Sequence, residues 1–325
     1  MVISKKIKQL LKVYLPLVIG LFLLAFSYFS TSAEERLKIW TTIKNADFFW
    51  ISISLLFGFI SNYSRALRWK YMLIPLGCKP RITNSFFAVM FGYLSNLGIP
   101  RSGEVLRGAT LATYENISFD KSFGTIVAER VVDMLMLLLI IGVTVLMQAD
   151  EIFQFFTDYS INLWFGIVGL IFLLILFYIF LRLIRHSEYS FIKKIKPFFE
   201  GLWEGIISIS RMKHKKLFIF HTLLIWGMYI AIFWVTKYSI PATEDLNAGA
   251  ILVAFIAGSF SISVTSGGIG LYPIAVAYSL FFFGVDKESG EAFGWILWSS
   301  QTLLVVVLGV ISVIFLPIVN KKRLH

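Results

Sequence analysis

The stretch NLGIPRSGEVLRG, residues 96–108, decides the fold. It sets Arg101, Glu104 and Arg107 at three-residue spacing between two runs apolar enough to belong in lipid, and it breaks those runs with Gly98, Pro100 and Gly103. A break of this kind at membrane depth must face protein or water, because bare amides in hydrocarbon cost several kcal/mol each. The surrounding composition sets that depth. The chain of 325 residues is 58% hydrophobic, 17% aromatic and only 15% charged. Several apolar runs of roughly 18 residues or more read as an all-α polytopic membrane protein.

Full spans are expected near 11–30, 47–65, 122–147, 161–182, 217–238 and 292–317. The apolar regions 84–117 and 247–285 are each interrupted in the middle, by LGIPRSG and by TSGGIGLYP, leaving arms short of the ~20 residues a crossing needs. Each is either two cramped spans or one re-entrant hairpin. The N-terminal KKIKQLLK followed by an apolar run resembles a secretory leader, but the run is long and many spans follow, so it reads as an uncleaved first span.

Charge selects between the readings. Of the 30 Lys and Arg residues, 21 fall at the N-terminus, at 65–81, at 182–216 and at the C-terminus. The loops at 149–160, 241–246 and 284–291 carry Asp150, Glu151, Asp158, Glu244, Asp245, Asp286, Glu288 and Glu291 against Lys287. The positive-inside rule then puts both termini and the 182–216 segment in the cytoplasm. Six full spans close this topology only if 84–117 starts and ends inside while 247–285 starts and ends outside, and both interrupted regions are then read as re-entrant hairpins entering from opposite faces. The result is one transmembrane domain, 1–325, with inverted-repeat halves at about 1–150 and 155–325, an arrangement transporters use around a midplane site. The alternative keeps both hairpins as ordinary buried packing elements. Residues 184–215 form a cytoplasmic linker whose apolar positions recur at three- or four-residue steps among lysines, as in an interfacial helix.

With a helix opening at about Pro100, Arg101, Glu104 and Arg107 form an i, i+3, i+6 ladder on one face. The expected third span adds AERVVD, with Glu129 and Asp133 one turn apart and Arg130 three residues before Asp133. A rise of about 1.5 Å per residue from Asp120 carries Asp133 roughly 20 Å along that helix, well inside a bilayer. Charge at such depth faces a bundle interior or a wet cavity. Arginine pairs with carboxylate or phosphate through two parallel hydrogen bonds, so a phosphate-bearing, anionic lipid headgroup suits the set. The competing reading makes the same residues permanent ion pairs. Gly267, Gly268 and Gly270 are expected to expose N–H groups as an anion-binding nest or a half-helix end, and tight helix packing explains them nearly as well. The arginines of SNYSRALRW, Arg65 and Arg68, read as snorkelling anchors at a cytoplasmic boundary, or as an entrance for phosphate.

These residues resemble the flippase-like transmembrane family of lysylphosphatidylglycerol synthases. The resemblance rests on N-L-G-I-P-R-S-G-E-V-L-R, on A-E-R-V-V-D about twenty residues later and on a late S-G-G-I-G, and it covers nearly the whole chain. It implies a stand-alone, multi-pass domain of a bacterial cytoplasmic (inner) membrane that acts as a lipid flippase. It points to Asn96, Pro100, Arg101, Gly103, Glu104, Arg107, Glu129, Arg130, Asp133, Gly267, Gly268 and Gly270. The chain departs from the family pattern around the glycine pair, where Thr265 and Ser266 precede and Leu271, Tyr272 and Pro273 follow, with no late glutamate.

Other functions find less support. The net charge of +11 lies in short segments beside apolar spans, which suits lipid surfaces and not nucleic acid. His186, His214, His221 and His325 lack metal-ligand spacing, and no ATP-binding loop or cofactor motif is present. The lone Cys78 forms no intrachain disulfide. Self-association into a homo-oligomer is compatible with the sequence. The expected function is translocation of a phosphate-bearing phospholipid or polyprenyl-phosphate headgroup, not enzymatic turnover. The alternative is a membrane-embedded transferase acting on a lipid-phosphate carrier, which would call for a nucleotide module or paired carboxylates in an accessible loop.

Overall fold

The computed structural model describes residues 5–99, 102–115, 117–149 and 212–321. Among them it holds ten α-helices and no strand: α1 Lys5–Ser30, α2 Ala33–Lys44, α3 Phe48–Leu73, α4 Ile82–Gly98, α5 Gly103–Tyr114, α6 Phe119–Met147, α7 Lys215–Thr236, α8 Ala248–Val264, α9 Leu271–Phe281 and α10 Lys287–Val319. The span expected at 161–182 and residues 184–211 of the linker expected at 184–215 lie outside the described residues.

Several helices start where the sequence supplies a side-chain acceptor for an orphan N–H. Asp47 accepts from Phe49 at the head of α3, Asn247 from Ala250 at α8, and Asp286 from Ser289 at α10. α2 opens with a reciprocal capping box, in which Ser32 Oγ accepts from the Glu35 N–H while the Ser32 N–H donates to Glu35 Oε2 at 2.6 Å. This helix occupies the segment between the first two expected spans. It leaves α1 at a bend of 111°. Arg36 fixes the bend by donating to the carbonyls of Tyr28 and Thr31 at 2.6 and 2.7 Å.

Among the described residues, three helices are long and apolar enough to cross a membrane: α6, α7 extended to Ser239, and α10 extended to Asn320. The bent pair formed by Leu17–Ser30 and α2 makes a fourth if it is one span. α3 is as long as α1, but Ser61, Asn62, Ser64, Arg65, Arg68 and Lys70 make its C-terminal half polar.

The chain divides into two compact units, residues 1–127 with 213–325, and residues 128–212. In the first unit α3 and α7 run antiparallel: Trp50 packs on Tyr238, Arg65 meets Tyr229 and Arg68 meets Thr222, so partners descend along α7 as they ascend α3. A core of Trp69, Leu73, Val89, Met90, Leu111 and Ile126 joins α3, α4, α5 and the start of α6. At the far ends of these helices, Asn84 and Asn320 exchange two side-chain hydrogen bonds of 2.9 and 2.8 Å, and Asn84 also donates to Glu115 at 2.7 Å. That buried network ties the base of α4 to the end of α10. The second unit, within the described residues, is the stretch of α6 from Ala128 onward.

Candidate functional site: two helix breaks and buried arginines

The first break separates α4 from α5. Gly98 keeps the right-handed conformation of α4, and the chain leaves the helix through extended Ile99 at φ −124° and ψ 107°. Asn96 then reaches across the break, its Oδ1 accepting from the Gly103 N–H at 2.7 Å, so that a side chain does the work a preceding helical turn would do. Ser102 Oγ donates to the Ile99 carbonyl at 2.7 Å. α5 begins at Gly103 and not at Pro100. Of the expected three-residue ladder, Glu104 and Arg107 share the helix, and Arg101 lies outside the described residues. Gly103 is a packing requirement, since a Cβ there would meet the Gly92 carbonyl oxygen and the Asn96 amide.

The second break lies between α8 and α9. Gly267, Gly268 and Gly270 have φ of 63°, 82° and 73°, values that exact a steric cost from any residue with a Cβ. Trp298 of α10 clamps this turn from the side by donating from Nε1 to the Gly267 carbonyl at 2.8 Å. The two breaks touch. Ser266 Oγ donates to the Asn96 carbonyl at 3.4 Å, and Gly267 abuts Leu97. Of the residues singled out from sequence, Asn96 and Gly103 thus meet in the first break, and Asn96 meets the second break beside Gly267.

The charged residues fall in two groups. Glu104 is partly buried in the first turn of α5, and Arg107 one turn later is 3% exposed, with its guanidinium 3.9 Å from the centre of the Trp69 ring. Glu129, Arg130 and Asp133 lie mid-way along α6, in the second unit. Glu129 and Asp133 are buried, while Arg130 is exposed and its Nη1 stands 3.8 Å from Asp133 Oδ2. That separation is an ion pair within one helix, longer than a hydrogen bond.

Sequence reading understates α3. Arg65 and Arg68 are not snorkelling anchors: they are 3% and 0% exposed, turned into the seam with α7. Arg65 donates from Nη2 to Tyr229 OH at 3.1 Å, and Arg68 from Nη1 to Thr222 Oγ1 at 3.4 Å. Beside them Ser64 Oγ lies 2.8 Å from His221 Nδ1, and Trp69 Nε1 donates to Thr125 Oγ1 at 2.9 Å. The signal was a polar stripe, Ser61, Ser64, Arg65 and Arg68, on one face of an otherwise apolar helix.

Residues 13–322 match the family model of the lysylphosphatidylglycerol synthase TM region. The chain belongs to that family. It is also 21% identical, over 331 aligned positions covering 88% of this chain and 90% of the relative, to the UPF0104 membrane protein MJ1595 of Methanocaldococcus jannaschii. No solved structure matches the chain.

As a member of the lysylphosphatidylglycerol synthase TM-region family, the chain is a multi-pass membrane protein of a lipid-related group. Its buried groups suit that setting chemically. Guanidinium forks and hydroxyls donate to phosphate oxygens, and an arginine keeps its proton when desolvated, where a lysine gives it up more readily.

Proposed function

We propose that this chain translocates a phosphate-bearing lipid headgroup, of phospholipid or polyprenyl-phosphate type, across the bilayer while the acyl or prenyl tail stays in lipid, and that it is not itself an enzyme. The observation that carries the reading is the contact between the two helix breaks, Ser266 Oγ on the Asn96 carbonyl, with the buried Arg107 in the helix that starts at the first break. Irregular backbone from two elements meeting at one point is how transporters build a constriction that opens alternately to each face. In this reading α4–α5 and α8–α9 are re-entrant hairpins entering from opposite sides. Six spans complete an inverted repeat with halves at about 1–150 and 155–325, and both termini lie in the cytoplasm of a bacterial inner membrane. Arg101, Arg107 and Arg130 receive the phosphate, and Glu104, Glu129 and Asp133 hold them when it is absent. Gly267, Gly268 and Gly270 let the second break approach the headgroup.

The test is reconstitution into liposomes that carry acyl-labelled fluorescent phosphatidylglycerol or a fluorescent polyprenyl phosphate. Inner-leaflet label becoming accessible to an external quencher is followed with and without imposed proton or sodium gradients. Wild-type protein is expected to move one of the labels faster than protein-free vesicles, and folded Arg107→Gln and Arg130→Gln variants to lose that rate. A wild-type rate equal to that of empty vesicles under every gradient, or full transport by both variants, rejects the assignment.

A further inference from the structure

The seam between α3 and α7 buries two guanidiniums. Arg65 and Arg68 stand one turn apart on α3, buried to 3% and 0% exposure, and α7 sets the hydroxyls of Tyr229 and Thr222 against them. α3 and α7 contain no Asp or Glu, so the seam itself contributes guanidiniums, which donate to phosphate oxygens, and hydroxyls that accept from those guanidiniums and hold them in place. A third guanidinium joins through Trp69, which follows Arg68 in sequence and carries Arg107 of α5 on its ring face at 3.9 Å. Burying three guanidiniums is costly wherever their counter-charge comes from, and an apolar seam of the same volume would hold two helices together at less cost. Retaining the arginines makes physical sense if they handle an anion that arrives and leaves.

We infer that Arg65 and Arg68, faced by Thr222 and Tyr229 and linked through Trp69 to Arg107, form a binding site for a phosphate group. Two guanidinium forks of α3 approach from one helix, the α7 hydroxyls of Tyr229 and Thr222 position them by accepting from Arg65 Nη2 and Arg68 Nη1, and the Trp69 ring carries the Arg107 guanidinium on its face. The inference rests on the proposed translocation reading for one point only, that the phosphate belongs to a lipid headgroup. Its core, on α3 and α7, lies outside the family motif residues, and Arg107 is the one residue it shares with them.

Binding is measured on the purified full-length protein in detergent with two probes, inorganic phosphate and short-chain phosphatidic acid, and with short-chain diacylglycerol as the phosphate-free control. Phosphatidic acid is expected to bind, diacylglycerol at least 10-fold more weakly, and folded Arg65→Gln and Arg68→Gln variants to weaken the phosphatidic acid 10-fold or more. If inorganic phosphate competes with the lipid, the site takes the phosphate itself. Phosphate that binds while the lipid does not makes the source a free anion. If the glutamine variants do not fold, the Thr222→Val, Tyr229→Phe double variant decides, since it removes both hydroxyls without touching charge and is expected to weaken binding several-fold. Wild-type affinity in every folded variant overturns the site. The liposome assay separates the two claims: transport by wild type with unaltered binding in the variants rejects this site and keeps translocation. Arginine-dependent binding by a protein that transports nothing keeps the site and rejects translocation.

Discussion

Arg107 sits over the ring of Trp69, guanidinium to ring centre 3.9 Å, and this contact ties α5 to α3 inside the core. A desolvated cation–π pair contributes about 2 kcal/mol, and the whole indole contributes more through burial. Trp69→Phe keeps a ring but loses the hydrogen bond to Thr125, and is expected to cost about 1–2 kcal/mol. Trp69→Ala removes ring and volume together and is expected to cost about 3–5 kcal/mol. Reversible unfolding in mixed micelles measures both, and equal stability of the alanine variant and wild type would show that the indole carries no load.

Gly103 stands where α5 crosses α4. A Cβ at this position would lie 2.6 Å from Asn96 Nδ2 and would also strike the Gly92 carbonyl, which is backbone and cannot swing aside. Gly103→Ala is therefore expected to destabilise by about 1–3 kcal/mol, whereas Gly98→Ala, with open space around its Cβ position, is expected to be neutral or slightly stabilising. Thermal unfolding of the two variants side by side checks the contrast.

Re-entrant hairpins make a topological prediction. Single cysteines replacing Lys79 and Ser118, which flank α4–α5, should label from one face of sealed vesicles, and those replacing Asp245 and Phe282, which flank α8–α9, from the other. A single broken span would instead split each pair between faces, whereas two cramped spans would keep each pair together and carry the break, probed at Ser102 and Ser266, to the opposite face. The native Cys78 interferes little, because burial, reinforced by nearby Glu115, pushes its thiol up and leaves less thiolate to react.

At the head of α10, Lys38 of α2 donates to Asp286 and to Glu288, each at 2.9 Å. Burial raises the Asp286 carboxyl, but hydrogen bonds from Lys38 and Ser289 outweigh it and hold the group well below the usual carboxylate range. A carboxyl depressed on folding contributes stability above its unfolded pKa and loses it as pH falls toward the folded value. The advantage of wild type over Asp286→Asn is thus expected to be constant above about pH 5 and to shrink below about pH 4. Thermal melts across that range test it, and an advantage that grows on acidification would reverse the sign.

Both breaks are legible in the sequence because Gly98, Pro100 and Gly103 in one, and Gly267, Gly268 and Gly270 in the other, interrupt runs that are otherwise helix formers. The direction of the backbone at each was less so. Gly98 has the freedom to turn left-handed but the chain turns at Ile99, because the Asn96 cap of Gly103 sets the geometry from outside the glycine. α2 announces itself by Ser32 and Glu35, a capping-box spacing that hides in a polar stretch with no amphipathic period. Arg65 and Arg68 show the limit most sharply. Spacing puts them on one face of α3, but only the docking of α7 makes that face interior, and an arginine near the end of an apolar run looks the same in sequence whether water or a neighbouring helix receives it.

The bond between the breaks runs from the Ser266 hydroxyl to the main-chain oxygen of residue 96, while the Asn96 side chain is spent on Gly103. Every amino acid carries that oxygen. The two interactions made by residue 96 are therefore under separate selection: drift at this position would unravel the local turn and yet leave intact the acceptor that the opposite break uses. A suppressor screen started from an Asn96 variant should accordingly return changes around residues 99–103, and few at Ser266.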